Sequence, residues 1–194
     1  GASEVHLLDL TAAFMVFANE GLKRPPYLIE NIQDTSGKNL FTYRPQAPER
    51  VYALPYARQM TGMLRDAVES GTGRGAKMGK RQVAGKTGTS QDFRDAWFIG
   101  FTADYVTGVW MGNDDNSPMR KVTGGLLPVD AWKMYMVQAH KGKNVRPLPA
   151  PAPLIKDEET RRLIAFYADL TKTLTNERNL ANGQVAKTAA RNAN

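Results

Sequence analysis

From Val5 to Ala18 apolar residues fall on nearly every side of a helical projection, a pattern that predicts a buried helix. Ser3 stands where an N-cap is needed, and Glu4 falls in the first turn, where a carboxylate suits the helix dipole. Gly21 is placed to stop the helix. Pro25-Pro26 bars helix, Tyr27 to Asp34 reads as a strand, Thr35 to Lys38 as a turn and Asn39 to Tyr43 as the returning strand. Pro45 and Pro48 mark a loop, and Pro55 fits the first turn of a second helix. Tyr56, Met60, Met63, Leu64, Ala67 and Val68 then recur at helical spacing and make one apolar face, with the methionines as core filler.

Gly71, Gly73, Gly75 and Gly79 predict a flexible loop. Strand-like runs come next at Gln82 to Ser90, Asp95 to Thr102 and Tyr105 to Met111, with connections short enough for antiparallel pairing. Trp97, Phe98, Ile99 and Phe101 give the middle run apolar residues on both faces, as a strand covered on both sides requires. Gly112 to Asn116 reads as a solvated polar turn; its carboxylates lack the spacing and the later Glu of a calcium-binding EF-hand. Pro128 opens a third helix, expected over Val129 to Lys141. Pro147, Pro149, Pro151 and Pro153 mark an extended linker. Beyond it, Leu163, Phe166, Tyr167, Leu170 and Leu174 line one face of a helix expected from Asp157 to about Asn179, before a tail expected to be disordered. The pattern divides the chain into a main portion, 1–145, and an appendage, 146–194. No internal repeat is present.

Composition narrows the chemistry. The 194 residues contain no cysteine, which excludes disulfides and thiol sites. The histidines are His6 and His140, which read as helix-surface or core residues, so neither a Ser-His-Asp triad nor a His-rich zinc site is expected. No apolar run reaches membrane-spanning length and no secretory signal opens the chain. The first residue is Gly1, and helix-like sequence begins almost at once; we read the chain as a fragment, with any anchor or export signal upstream. The net charge is +7. Arg74, Lys77, Lys80, Arg81 and Lys86 form a run with no acid between Ser70 and Gln91. It reads either as a solvated basic loop or as a positive field for an anionic ligand. Nucleic acid is not expected, because the run lacks interleaved aromatics and a reading module.

The candidate chemistry lies in Gly85-Lys86-Thr87-Gly88-Thr89-Ser90. A lysine supplies a cation, two threonines supply hydroxyls, and Gly88 leaves the backbone open to a ligand. One reading is a nucleotide-binding P-loop, since Gly85-Lys86-Thr87 matches the end of that motif. Its first glycine would fall at position 80, which is Lys80, and no helix is expected directly after Thr87. A second reading is a non-catalytic binding or packing module. The third is an active-site edge strand. Lys-Thr-Gly is one of three motifs of penicillin-binding proteins and serine β-lactamases. With Val83-Ala84 before the motif, Asp95-Ala96-Trp97-Phe98-Ile99-Gly100-Phe101, Thr107-Gly108-Val109-Trp110-Met111-Gly112-Asn113-Asp114, Gly1-Ala2-Ser3-Glu4-Val5 with its helix through Phe17-Ala18-Asn19, Ser70-Gly71-Thr72-Gly73 and Val122-Thr123-Gly124-Gly125, the chain resembles the transpeptidase domain of class A penicillin-binding proteins over about residues 1 to 141.

That resemblance implies an α+β fold: an antiparallel sheet with packed helices, as in the C-terminal half of a β-lactamase-like serine transpeptidase domain. It implies that Lys86 helps to hold a substrate carboxylate and tune a proton relay. Thr87 and Thr89 would offer hydroxyls, Gly88 would let substrate lie against the backbone, and the Thr89 N–H would serve as an oxyanion donor. It implies peptidoglycan stem peptides and β-lactams as ligands, no metal or organic cofactor, and a periplasmic location on the outer face of the cytoplasmic membrane. The nucleophile is not in this chain. Three residues after Ser3, Ser36, Ser70, Ser90 and Ser117 stand His6, Asn39, Gly73, Phe93 and Arg120, so no Ser-x-x-Lys exists, and no Ser-x-Asn either. Truncation is the expected reason, and the fragment alone is expected to be inactive.

Overall fold

The computed structural model describes residues 4–151. The appended helix expected from Asp157 and the tail after it lie outside that range. The first helix, α1, runs Leu7–Ala18 with His6 at the N-cap, three residues later than the expected cap. It is followed by strands β1 (Leu22–Lys23), β2 (Asn31–Gln33), β3 (Asn39–Thr42) and β4 (Glu49–Arg50), then by α2 (Leu54–Glu69). A single turn of 3-10 helix at Arg74–Ala76 leads to β5 (Ala84–Thr89), β6 (Asp95–Phe101), β7 (Val106–Gly112) and α3 (Leu127–Ala139). β5, β6 and β7 form one antiparallel sheet in that order, and the two short pairs β1–β4 and β2–β3 stand apart from it. The fold is α+β, as expected.

Residues paired across the ladder share a face. Phe98 and Gly100 of β6 stand with Val109 and Thr107 of β7 on the face that α3 covers. There Phe98 meets Trp132 edge-to-face at 5.2 Å, and Trp132 Nε1 donates to the Thr107 carbonyl at 3.0 Å. Phe101 and Val106 stand on the other face, in a cluster with Ala84, Leu64, Phe14 and Phe17. The middle strand is therefore covered on both sides, as its apolar run predicted. Trp97 is only half-buried and tilts against Trp110 at 6.1 Å, so it is not a core residue.

α1 departs from expectation. None of its residues is fully buried. One side lies on β6 and β7, close enough that a Cβ on Gly108 would stand 3.0 Å from Leu7 Cδ1 and overlap the Thr11 hydroxyl. Leu7 and Leu8 are nevertheless exposed, because the all-round apolar pattern shows what could be covered, not what is. The end of α1 is a Schellman motif: Gly21 N–H donates to the Val16 carbonyl at 2.7 Å and Glu20 N–H to the Phe17 carbonyl at 3.1 Å. The left-handed C′ position falls on Glu20 (φ 57°), one residue before the expected glycine. Gly21, at φ 92°, is needed next because a Cβ there would overlap the Tyr52 carbonyl.

α2 packs through part of the expected stripe, since Leu64 and Val68 are buried and Met60 packs against the cluster that holds Leu64, but the stripe is shifted at its other members. Ala57, Thr61, Leu64 and Val68 are buried, whereas Tyr56 and Met63 are exposed. Small and hydrogen-bonded residues allow the close approach: Thr61 Oγ1 donates within reach of the Ala57 carbonyl at 3.0 Å and the Phe17 carbonyl at 3.3 Å. The expected hairpin forms, but β2 is shorter than the apolar run, and Tyr27 instead stacks on Tyr43 at 3.9 Å. The glycine-rich stretch is not a free loop, since Gly73 and Ala76 are buried against α2 and α3. The described part of the proline-spaced segment, 147–151, is docked, with Leu148 in the core and its N–H on Gln82 Oε1 at 2.8 Å.

Candidate active site

Among the described residues β5 is an edge strand of its sheet, paired only with β6. Gly85 fits because its face is crowded: a Cβ there would stand 2.8 Å from Phe98 Cζ and from the Ile99 carbonyl oxygen. Lys86 and Gly88 oppose Ile99 and Trp97, while Thr87 and Thr89 oppose Phe98 and Ala96. The cation and the two hydroxyls therefore stand on opposite faces of one strand, and they meet only along its unpaired edge. Lys86 is exposed, and its Nζ donates to the Thr87 carbonyl at 2.9 Å. Gly88 leaves room beside Trp97, whose Cβ would lie 3.4 Å from a side chain there. β5 continues through Thr89 and leads into a single 3-10 turn at Gln91–Phe93. The convergent helix N-terminus of a P-loop is not formed after Lys86-Thr87.

Two segments distant in sequence meet the hydroxyl side of β5. Thr72, on the turn leaving α2, brings its Oγ1 to 2.6 Å from Thr87 Oγ1. Gly124, just before α3, donates its N–H to Thr89 Oγ1 at 3.1 Å. Ser90 serves the turn after the strand, its Oγ accepting the Asp95 N–H at 2.8 Å. Gly124 is buried so tightly that a Cβ would stand 2.5 Å from the Gly88 carbonyl oxygen, 2.9 Å from Gly88 N and in overlap with the Trp97 carbonyl. Those atoms are all backbone and cannot rotate away. Gly124→Ala is therefore expected to lower stability by about 1–3 kcal/mol, as overpacking does, and to detach the 122–125 segment from Thr89. Thermal melts and hydrogen exchange at residue 124 check this; an unchanged melting temperature and unchanged amide protection would contradict it.

The family model of the penicillin-binding protein transpeptidase domain matches residues 1–126. The chain belongs to that family. It is 44% identical over 137 residues to penicillin-binding protein 1A of Aquifex aeolicus, covering 70% of this chain and 19% of that protein. It is 36% identical over 162 residues to penicillin-binding protein 1A of Neisseria flavescens, covering 80% and 20%. The crystal structure of penicillin-binding protein 1A from Haemophilus influenzae superposes with a TM-score of 0.71 at 30% identity, covering 78% of this chain and 28% of that one. The chain thus spans about a fifth of the length of these curated relatives.

In this transpeptidase segment the basic run does not act as one field. Lys77 pairs with Glu69 at 3.1 Å, and Arg81 is buried. Arg81 Nη1 meets Asp104 Oδ2 at 2.9 Å, and its Nη2 donates to the carbonyls of Lys143 and Asn144 at 3.0 and 3.2 Å. Arg146 reaches the other oxygen of Asp104 at 2.7 Å. His140, buried as one of its expected readings allowed, places Nε2 2.9 Å from Thr102 Oγ1 and 3.7 Å from Asp104 Oδ2. Burial pushes the Asp104 carboxyl up, but the Arg146 hydrogen bond and the charges of Arg146, Arg81 and His140 outweigh it and hold the group below its usual value. This cluster and the Thr72 and Gly124 contacts went unseen in the sequence, because no local spacing links their members. Among the described residues no group of three or more His, Cys, Asp or Glu is placed to hold a metal, and no helix is long and apolar enough to cross a membrane.

Proposed function

We propose that this chain is the C-terminal part of the transpeptidase domain of a peptidoglycan D,D-transpeptidase, and that β5 is the substrate-binding wall of its active site. The observation that carries the reading is Lys86-Thr87-Gly88-Thr89 on the unpaired edge of an antiparallel sheet, in a chain of this family. A stem peptide would add along that edge as an extended strand. Lys86 would hold its carboxylate and tune the proton relay, and the Thr89 N–H would stabilise the oxyanion. A serine outside these 194 residues would attack the carbonyl, expel D-alanine and form the acyl-enzyme that an acceptor amine then resolves. A β-lactam would acylate the same serine. The protein would act on the periplasmic face of the cytoplasmic membrane, tethered by a segment upstream.

Mass spectrometry after incubation with benzylpenicillin tests this. The chain alone is expected to take up no stable adduct, because a charged wall without a nucleophile has no bond to make. The longer protein encoded with its upstream sequence is expected to gain one equivalent. An adduct on Ser90 or another serine of this chain would misplace the nucleophile. Failure of the longer protein to label would remove the transpeptidase reading.

A further inference from the structure

We infer that Thr72 is a positioning residue: its hydroxyl sets the direction of the Thr87 O–H so that β5 presents two hydroxyl protons to an anionic group on the ligand. The inference rests on the reading of β5 as a substrate-binding strand and deepens it. A hydroxyl has one proton to give and lone pairs to fill. At Thr89 a lone pair is taken by the Gly124 N–H at 3.1 Å, which leaves the Thr89 proton to be donated elsewhere. At Thr87 the neighbour is Thr72 Oγ1 at 2.6 Å, and either oxygen can donate. An anion at the strand accepts from Thr87, and only one arrangement then satisfies the pair. Thr72 donates to Thr87, and Thr87 donates to the anion. Hydrogen bonds in such a chain polarise one another.

The mount of Thr72 suits this role. The Thr72 carbonyl oxygen would lie 2.9 Å from a Cβ on Gly125, and that same Cβ would lie 4.0 Å from Thr87 Cγ2. Thr72, Thr87 and Gly125 therefore pack as one group. Gly73, the next residue, is buried, and its N–H donates to the Ala67 carbonyl at 3.0 Å. The Thr72 side chain itself is exposed, so its replacement removes a hydroxyl without opening the core.

The test uses the longer protein with its upstream sequence, acylated by benzylpenicillin and by its methyl ester, which lacks the anionic carboxylate. Thr72→Val is expected to slow acylation by benzylpenicillin about fivefold, the scale of one neutral hydrogen bond, and to leave the rate with the ester unchanged. Thr72→Ser is expected to restore the wild-type rate. Equal slowing with both compounds would show a merely structural role and overturn the inference. So would an unchanged rate with benzylpenicillin, or a serine variant as slow as valine. A wild-type protein that labels and a Lys86→Ala variant that labels about 10²–10³-fold more slowly would keep the transpeptidase reading even then. A wild-type protein that fails to label would overturn both.

Discussion

Asp104→Ala is expected to destabilise the fold by about 3–5 kcal/mol at neutral pH, the loss that results when one partner of a buried ion pair is removed. The Arg81 side chain is only 6% exposed and that of Asp104 11%, so the guanidinium would be left charged, buried and without its carboxylate. Arg81 would retain the Lys143 and Asn144 carbonyls, which accept hydrogen bonds but carry no net charge. Arg146 is 60% exposed and would return to water, so it adds little to the loss. The same cluster sets the sign of the pH dependence. The Asp104 carboxyl is held below its usual value, so its contribution is complete above the unfolded value and is lost as pH falls through the folded one. The gap between wild type and Asp104→Ala in denaturant melts should therefore be widest at pH 7 and close progressively below about pH 4. A gap that stayed constant into acid would show that packing, not charge, carries the effect.

Lys86→Ala is expected to do the opposite: to leave the fold alone and to remove function. Lys86 is exposed and, among the described residues, bonds only the adjacent Thr87 carbonyl, so the variant chain should melt within about 0.5 kcal/mol of wild type. In the longer protein, under the proposed function, the same change should slow acylation by benzylpenicillin about 10²–10³-fold, the scale of one preorganised group facing developing charge. The substitution deletes a cation that no neighbour on β5 replaces, since the strand otherwise offers hydroxyls and glycines. Time-resolved mass spectrometry of the adduct measures the rate. A rate within a factor of a few of wild type would take Lys86 out of the site, and a large drop in melting temperature would make any rate effect uninterpretable as chemistry.

The two variants separate what was legible in the chain from what was not. The strand that carries Lys86 was legible because the motif is contiguous: four adjacent residues on one strand need only that strand to form. The same locality made β5, β6 and β7 readable. Their apolar runs are joined by connections too short for anything but antiparallel pairing, and the ladders pair accordingly. The hairpin around Gly37 was readable for the same reason, with Asp34 Oδ1 accepting from the N–H groups of Ser36 and Lys38. Where a pattern was local but its partner was not, the reading slipped. The α1 sequence called for burial, yet one side meets the sheet and Leu7 and Leu8 stay exposed among the described residues. The α2 stripe kept Leu64 and Val68 but took in Ala57 and Thr61 in place of Tyr56 and Met63, because small residues let helices and strands approach closely, a preference that a count of large apolar residues misses.

Periodicity and turn chemistry along the chain were enough for the three strands β5, β6 and β7 and their antiparallel pairing, because each arises within a few residues, while the α+β fold class was implied by the resemblance of contiguous motifs to a known family. The folded chain alone decided that Thr72 faces Thr87 across 15 positions and that Gly124 holds Thr89 across 35. It alone decided that an arginine from an apparent surface run lies buried against Asp104, 23 positions away. Such contacts depend on which faces close on each other. A charge or hydroxyl carries the same sequence signal whether it ends in water or in a network, and only tertiary packing removes the water.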